Sequence, residues 1–220
     1  MLQYKGLALS YLGHDCFRLE AGGKVLYTDP FQIGPQSKKA DFVTISHDHF
    51  DHLDNPSLAR VTEARTVVVA SENCRGKVKT AFKEAHFLKP GEFVESGGFK
   101  FLAVPAYNVN KFRAPGQPFH PRDYNGLGFL IEAGGVRVYH AGDTDIVEEM
   151  AALKDIDIAL LPVSGTYVMT SSEAAEATRR IAPKVAVPMH WGAIVGGRVD
   201  AEKFVAAVRG FTQGQLLDKE

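Results

Sequence analysis

The sequence predicts an α+β fold, a four-layer αβ/βα sandwich in which two mixed sheets pack face to face with helices on their outer surfaces. Three observations carry this expectation. Diglycine pairs recur between short β-forming runs, as hairpin turns do, at Gly22-Gly23, Gly97-Gly98 and Gly134-Gly135. Strand-like and helix-like runs alternate after the first and last of these hairpins. The order also echoes itself. Ala21-Gly22-Gly23, a strand ending Thr28-Asp29-Pro30 and then Ala40-Asp41-Phe42-Val43-Thr44-Ile45 are matched by Ala133-Gly134-Gly135, a strand ending His140-Ala141-Gly142-Asp143 and then Asp155-Ile156-Asp157-Ile158-Ala159-Leu160.

Element by element, residues 7–12, 16–21 and 24–29 read as strands, and 41–46 as a short buried strand that runs into a histidine-rich loop. Residues 66–70 form a further strand and 76–84 have helical composition. Strands at 93–95 and 99–104 flank the second diglycine, and strands at 128–133 and 136–140 flank the third. A helix at 146–153, a strand at 156–162, a helix at 171–181, a strand at 185–189 and a helix at 201–208 complete the chain. The 171–181 helix is expected to open on Ser171 or Ser172, with Glu173 following. Residues 107–125 are long for a plain connection and predict a functional loop. No Ser/Gly/Pro-rich linker divides the chain, so residues 1–220 are expected to form a single domain.

Composition narrows the function. Hydrophobic residues at 45% and charged residues at 23% exclude disorder and fibrous repeats. Twenty-five basic against 26 acidic side chains leave a net charge of -1, without a global field for gripping nucleic acid. No apolar run approaches the ~18 residues of a membrane helix, and the alternating run at 7–12 reads as strand rather than leader. Cys16 and Cys74 lie far apart and outside any CxxC pair, which predicts reduced thiols in a cytoplasmic protein. The expected partner is a small-molecule substrate, with no nucleic acid and no membrane; a homo-oligomer stays open.

One segment decides the chemistry: Ser46-His47-Asp48-His49-Phe50-Asp51-His52, directly after a strand. With 8 His and 13 Asp in the chain, a chance HxHxDH is expected roughly 0.0006 times. An extended strand end repeats every two residues, so His47 and His49 aim at one point, and Asp51 and His52 face a neighbouring one after the turn. Imidazole nitrogen and carboxylate oxygen suit zinc, with Mn or Fe as alternatives. A shared carboxylate between two ions ~3.5–4 Å apart is a hydrolytic arrangement. Ala141-Gly142-Asp143-Thr144 supplies that acid at a strand end, where Gly142 lacks the Cβ that would block a close approach. His190 follows another strand.

Together these residues resemble the metallo-β-lactamase fold superfamily of metal-dependent hydrolases, nearly end to end. The motifs that carry the likeness are Leu12-Gly13-His14 with Cys16-Phe17, Thr28-Asp29-Pro30, the histidine run, Ala141-Gly142-Asp143-Thr144, Gly165-Thr166-Tyr167-Val168-Met169-Thr170 and Pro188-Met189-His190-Trp191. The chain looks like the branch holding ascorbate-phosphate lactonase and N-acyl-phosphatidylethanolamine phospholipase D. The resemblance implies that His47 and His49 serve one metal position, that Asp51, His52 and His190 serve the other, and that Asp143 bridges both. Asp29 would stand behind the ligands and orient one of them. Zinc, as one ion or two, is the implied cofactor. Diiron electron-transfer relatives typically carry Glu where this chain has His49, so His49 favours hydrolysis.

One departure matters. The family usually places another histidine near Val104-Pro105-Ala106-Tyr107, where this chain has Asn108, a far weaker ligand. Either the first metal position is one nitrogen short or another group completes it. His120 is the candidate, with an orienting or substrate-facing role as the alternative. His14 is expected either near the site or in a structural role, and His86 and His140 are expected to be structural.

The implied reaction is hydrolysis of a small ester, lactone or phosphoester by a metal-activated hydroxide, with Asp51 or Asp143 accepting the water proton. Asn110, Lys111 and Arg113 are expected anion contacts, and Tyr107 and Tyr124 expected walls. The first alternative is a phosphodiesterase or nuclease acting on nucleic acid, because processing ribonucleases of the superfamily share these motifs. The near-zero charge counts against it. The second is a non-catalytic metal-binding protein, for which Asn108 is the only support.

Overall fold

The computed structural model describes residues 1–220 apart from Ser37, Thr80, Ala81 and Lys83. Among the described residues, the first sheet holds β1 (Leu2–Tyr4), β2 (Leu7–Gly13), β3 (Cys16–Ala21), β4 (Lys24–Thr28), β5 (Phe42–Ile45), β6 (Val67–Ser71) and β7 (Glu84–Leu88), side by side in sequence order. Beyond it come β8 (Phe93–Ser96), β9 (Phe99–Pro105) and a small separate hairpin of β10 (Phe112–Ala114) and β11 (Gln117–Pro118). The remaining strands are β12 (Leu127–Ala133), β13 (Val136–His140), β14 (Ile158–Pro162), β15 (Val185–Met189) and β16 (Gln213–Gly214). The second sheet runs β16-β15-β14-β13-β12-β9-β8.

The echo in the sequence is a repeat of topology. Each sheet begins with three antiparallel pairings and ends with three parallel ones. The matching turns Gly22-Gly23 and Gly134-Gly135 have positive φ at both positions, the backbone of a type I′ hairpin, which glycine adopts without a Cβ penalty. Asp41 and Asp157 hold equivalent corners. Each carboxylate accepts from a backbone N–H at 3.0 Å, Val25 and Arg137 respectively.

The core lies between the sheets, and side-chain alternation builds it. Val67 and Val69 of β6 join Leu9, Phe17, Phe101 and Phe129 in the inter-sheet cluster. Val68 and Ala70 point the other way, onto Leu58 and Val61 of α1 (Asn55–Val61). On the far side, α2 (Ser171–Ile181) packs on β14 and α3 (Arg198–Val208) on β15. Helix, sheet, sheet, helix is the expected four-layer sandwich. Cys16 and Cys74 are buried free thiols. Among the described residues no helix is long and apolar enough to cross a membrane.

Several elements differ from expectation. Residues 76–79 form a turn and irregular chain, with Gly76 in the left-handed region, and Glu84 opens edge strand β7; the rest of that expected helix includes positions outside the described residues. The 146–153 helix shrinks to a 3-10 turn, Glu148–Ala152, because Val147 stays extended and buried in the core and offers no side-chain cap. The N-cap of α2 is Thr170, in a reciprocal capping box with Glu173. Helix α1 carries Pro at its first turn, which is compatible with helix there and masks it in the sequence.

Candidate metal centre

The parallel strands of both sheets end at one place. β4 delivers Asp29, β5 delivers His47, β13 leads into Asp143 and β15 into His190, so one rim collects groups from distant parts of the chain. Gly142 makes the approach of Asp143 feasible. Its φ is +62°, and a Cβ there would sit 2.3 Å from the Leu127 carbonyl oxygen. Gly142→Ala is expected to cost at least about 2 kcal/mol, read from the denaturant midpoint, because the Leu127 backbone on one side and buried Ser46 on the other leave little room to give way.

Two sets of donor atoms face each other across Asp143. His47, His49 and His120 form one, and His14, Asp51, His52 and His190 the other; within each set the candidate ligand atoms lie within 4.8 Å of one another. Asp143 Oδ1 is 3.4 Å from His52 Nε2 and 3.3 Å from His190 Nε2. Its Oδ2 is 3.3 Å from His120 Nε2 and 4.0 Å from His47 Nε2. Thus the structure brings together His47, His49, Asp51, His52, Asp143 and His190, and of the further candidates it places His120 and His14 in the cluster. Asn108 does not itself face the cluster. Its Oδ1 accepts from the His120 backbone N–H at 2.8 Å and from His120 Nδ1 at 3.0 Å, and its Nδ2 donates to the Tyr167 carbonyl at 2.9 Å. That arrangement turns His120 Nε2 towards the centre.

The same device recurs behind the other imidazoles. His52 Nδ1 donates to Asp29 Oδ2 at 2.9 Å, and Asp29 also accepts from the Ser46 backbone N–H and hydroxyl. His47 Nδ1 donates to Ser46 Oγ at 3.0 Å and His190 Nδ1 to Ser164 Oγ at 2.9 Å. With Nδ1 committed to these partners, Nε2 is the nitrogen that faces the centre, free to bind a cation once the imidazole is neutral. His14 Nε2 lies 3.1 Å from Asp51 Oδ2. His14 and His190 both occupy left-handed backbone, and the His190 N–H donates to the His14 carbonyl at 3.0 Å, locking two strained residues together.

The electrostatics describe a nest awaiting positive charge. His47 Nε2, His52 Nε2, His190 Nε2 and Asp143 Oδ1 are buried without hydrogen-bond partners. Buried polar atoms left unpaired are costly, and four of them converging here fit a divalent cation. Burial opposes charge on His190, yet Asp143 and Asp15 outweigh it and lift the imidazole to about 9. Burial likewise opposes charge on Asp143, but His190 and His52 hold its carboxyl well below the usual range. Burial, helped by the neighbouring imidazoles of His49, His52 and His190 and opposed by Asp143, pushes His120 down to about 4. Sequence reasoning missed Asp15, which is fully buried with its Oδ2 3.6 Å from His52 Nδ1, and missed the two orienting serines. Asp15 stands beside His14 in the sequence, the one signal that could have found it. His140 donates to the Asp15 carbonyl and His86 pairs with Glu84, both outside the cluster.

The centre opens into a cavity of about 300 Å3. Its floor is His49, Asp51, His120 and Asp143, and its walls are Phe50, Phe119, Tyr167 and Ile194. The expected anion contacts are engaged elsewhere: Lys111 pairs with Glu173 at 2.9 Å, Asn110 donates to the same carboxylate, and Arg113 donates to the Phe119 carbonyl. Tyr107 bonds Glu149, while the Tyr124 ring packs against His49 with centres 5.5 Å apart. The carboxylate that claims Lys111 is the α2 capping residue, and the surrounding N–H groups outweigh its burial and hold it down at about 2.

A family profile described as "Beta-lactamase superfamily domain" matches residues 8–190, from β2 to the last histidine of the centre. The chain belongs to the β-lactamase superfamily. Within that superfamily it is 34% identical over 204 residues to a UPF0173 metal-dependent hydrolase from Methanoculleus marisnigri, covering 90% of this chain and 87% of the relative. It is 33% identical over 215 residues to the protein of the same name from Thermoplasma acidophilum, covering 92% and 91%. A solved structure from Parabacteroides distasonis, assigned as a metal-dependent hydrolase, superposes with a TM-score of 0.85 at 32% identity, covering 97% of this chain and 94% of that one. The chain is thus a β-lactamase superfamily member among metal-dependent hydrolases, with the sandwich and the carboxyl-end rim described above.

Proposed function

We propose that the chain hydrolyses a small ester, lactone or phosphoester with two divalent cations, zinc foremost, held across Asp143. His47, His49 and His120 would hold one ion and Asp51, His52 and His190 the other, with His14 fixing Asp51. The observation that carries this reading is the division of Asp143, one oxygen facing His52 and His190, the other facing His120 and His47. Cations so held supply Lewis acidity, which brings the pKa of water toward ~7 and stabilises developing negative charge. The chain's own residues do the rest. Asp51 and Asp143 line the cavity as acceptors for the proton of the attacking water. Asp29, Ser46, Ser164 and Asn108 keep the imidazoles in place through the reaction.

Removing metal with a chelator is expected to abolish hydrolysis of a generic lactone, carboxyl ester or phosphodiester, and zinc or manganese to restore it. Hydrolysis that persists in metal-free protein would contradict the reading. The pH dependence of metal uptake has a definite sign. Proximity to Asp143 keeps His52 and His190 protonated at neutral pH in the metal-free protein. Each must lose its proton to bind a cation, so affinity is expected to rise as pH climbs toward about 9. Competition with a chelator at several pH values, with proton release followed by a dye, measures both effects.

A further inference from the structure

The four walls of the cavity come from four different loops: Phe50 after β5, Phe119 after β11, Tyr167 after β14 and Ile194 after β15. Phe50 is 69% exposed and Ile194 40% exposed, so two large apolar side chains stand in water at the mouth of a buried polar centre. Neither adds to the core, and apolar surface so placed marks a binding site. Among the described residues lining the cavity, the imidazoles and carboxylates sit on its floor, in the histidine and aspartate cluster. The basic side chains of the neighbouring loop are turned to other work. Lys111 serves Glu173 and Asp145, Arg113 lies over the Phe119 ring at 5.7 Å and bonds its carbonyl, and Arg122 pairs with Glu149 at 2.7 Å.

We propose that the substrate bears an uncharged apolar acyl or aryl group beside its scissile ester or lactone bond, held between Phe50 and Ile194 and backed by Phe119 and Tyr167. This deepens the hydrolase reading above and rests on it. A cavity of about 300 Å3 limits that group to the bulk of a short alkyl chain or a single ring. An anionic group held between Phe50 and Ile194 would be desolvated against apolar walls, while the basic side chains of the neighbouring loop, Lys111, Arg113 and Arg122, are already engaged.

The test compares p-nitrophenyl acetate, butanoate and hexanoate with the p-nitrophenyl half-ester of succinate, on zinc-loaded protein. Each methylene that reaches the walls is expected to raise kcat/KM by up to about fourfold, so hexanoate exceeds acetate by more than about tenfold. Phe50→Ala and Ile194→Ala are expected to bring that ratio down to within about threefold of unity. Phe211→Ala, an exposed aromatic remote from the cavity, leaves the ratio where it was. A flat chain-length series in the parent, or faster turnover of the succinate half-ester than of butanoate, would overturn the proposal and leave the hydrolase reading standing. Turnover of none of the esters, lactones or phosphodiesters would sink the hydrolase reading instead. In that event saturation-transfer NMR with hexanamide on metal-free protein still reads the subsite: strongest transfer to the terminal methyl, weakened by Phe50→Ala, supports it, and even transfer along the chain refutes it.

Discussion

Asp143→Asn is expected to lower kcat/KM by at least about a thousandfold while leaving the far-UV circular dichroism of the parent. The amide keeps the shape of the carboxylate but removes the one negative charge set between His52, His190, His120 and His47. Two positive ions close together need that charge, because without it their mutual repulsion in a buried site is uncompensated. Metal content is therefore expected to fall along with activity. The sandwich is held by the inter-sheet core and by backbone ladders far from this residue, so the fold survives. Activity within tenfold of the parent would remove Asp143 from its bridging position.

His120→Ala carries the next largest expected effect. It withdraws the third nitrogen from the His47 and His49 set, and bound metal is expected to drop from about two ions per chain to about one, with kcat/KM reduced by roughly a hundredfold or more. Asn108→Ala acts through the same histidine but more mildly. It removes the oxygen that accepts from both the backbone N–H and Nδ1 of His120, so a loss of about 10–100-fold in metal affinity is expected. Metal titrations of the two variants distinguish a missing ligand from a loosened one. Equal losses would mean that His120 does not face the ion.

The histidine run was legible because its chemistry is local: a strand end with period two aims His47 and His49 together whatever the rest of the chain does. Asp143 was legible through Gly142, whose missing Cβ announced a close approach that the Leu127 carbonyl confirms. The echo around the diglycine turns anticipated two mixed sheets packed face to face, since hairpin turns leave a strong local signature; their strand order needed the fold. The third nitrogen was harder. Asn108 stands where the family usually has histidine; the sequence offered His120 only as a candidate, and the fold of residues 107–125 shows Asn108 holding that histidine. Ser46, Ser164 and Asp15 were missed because serine and aspartate are common, and their value here lies in facing an imidazole across a turn. Lys111 misled for the opposite reason. A charged loop residue looks free in sequence, and its partner Glu173 is 62 positions away, on the cap of another helix.

The central claim, that groups gathered from both sheets converge on a pair of divalent cations, has a direct physical test. Crystals soaked in zinc, with anomalous data collected on both sides of the zinc edge, should show two peaks, one on each side of the Asp143 carboxylate. One should fall among His47, His49 and His120 and the other among Asp51, His52 and His190. No anomalous density between these side chains would contradict the account.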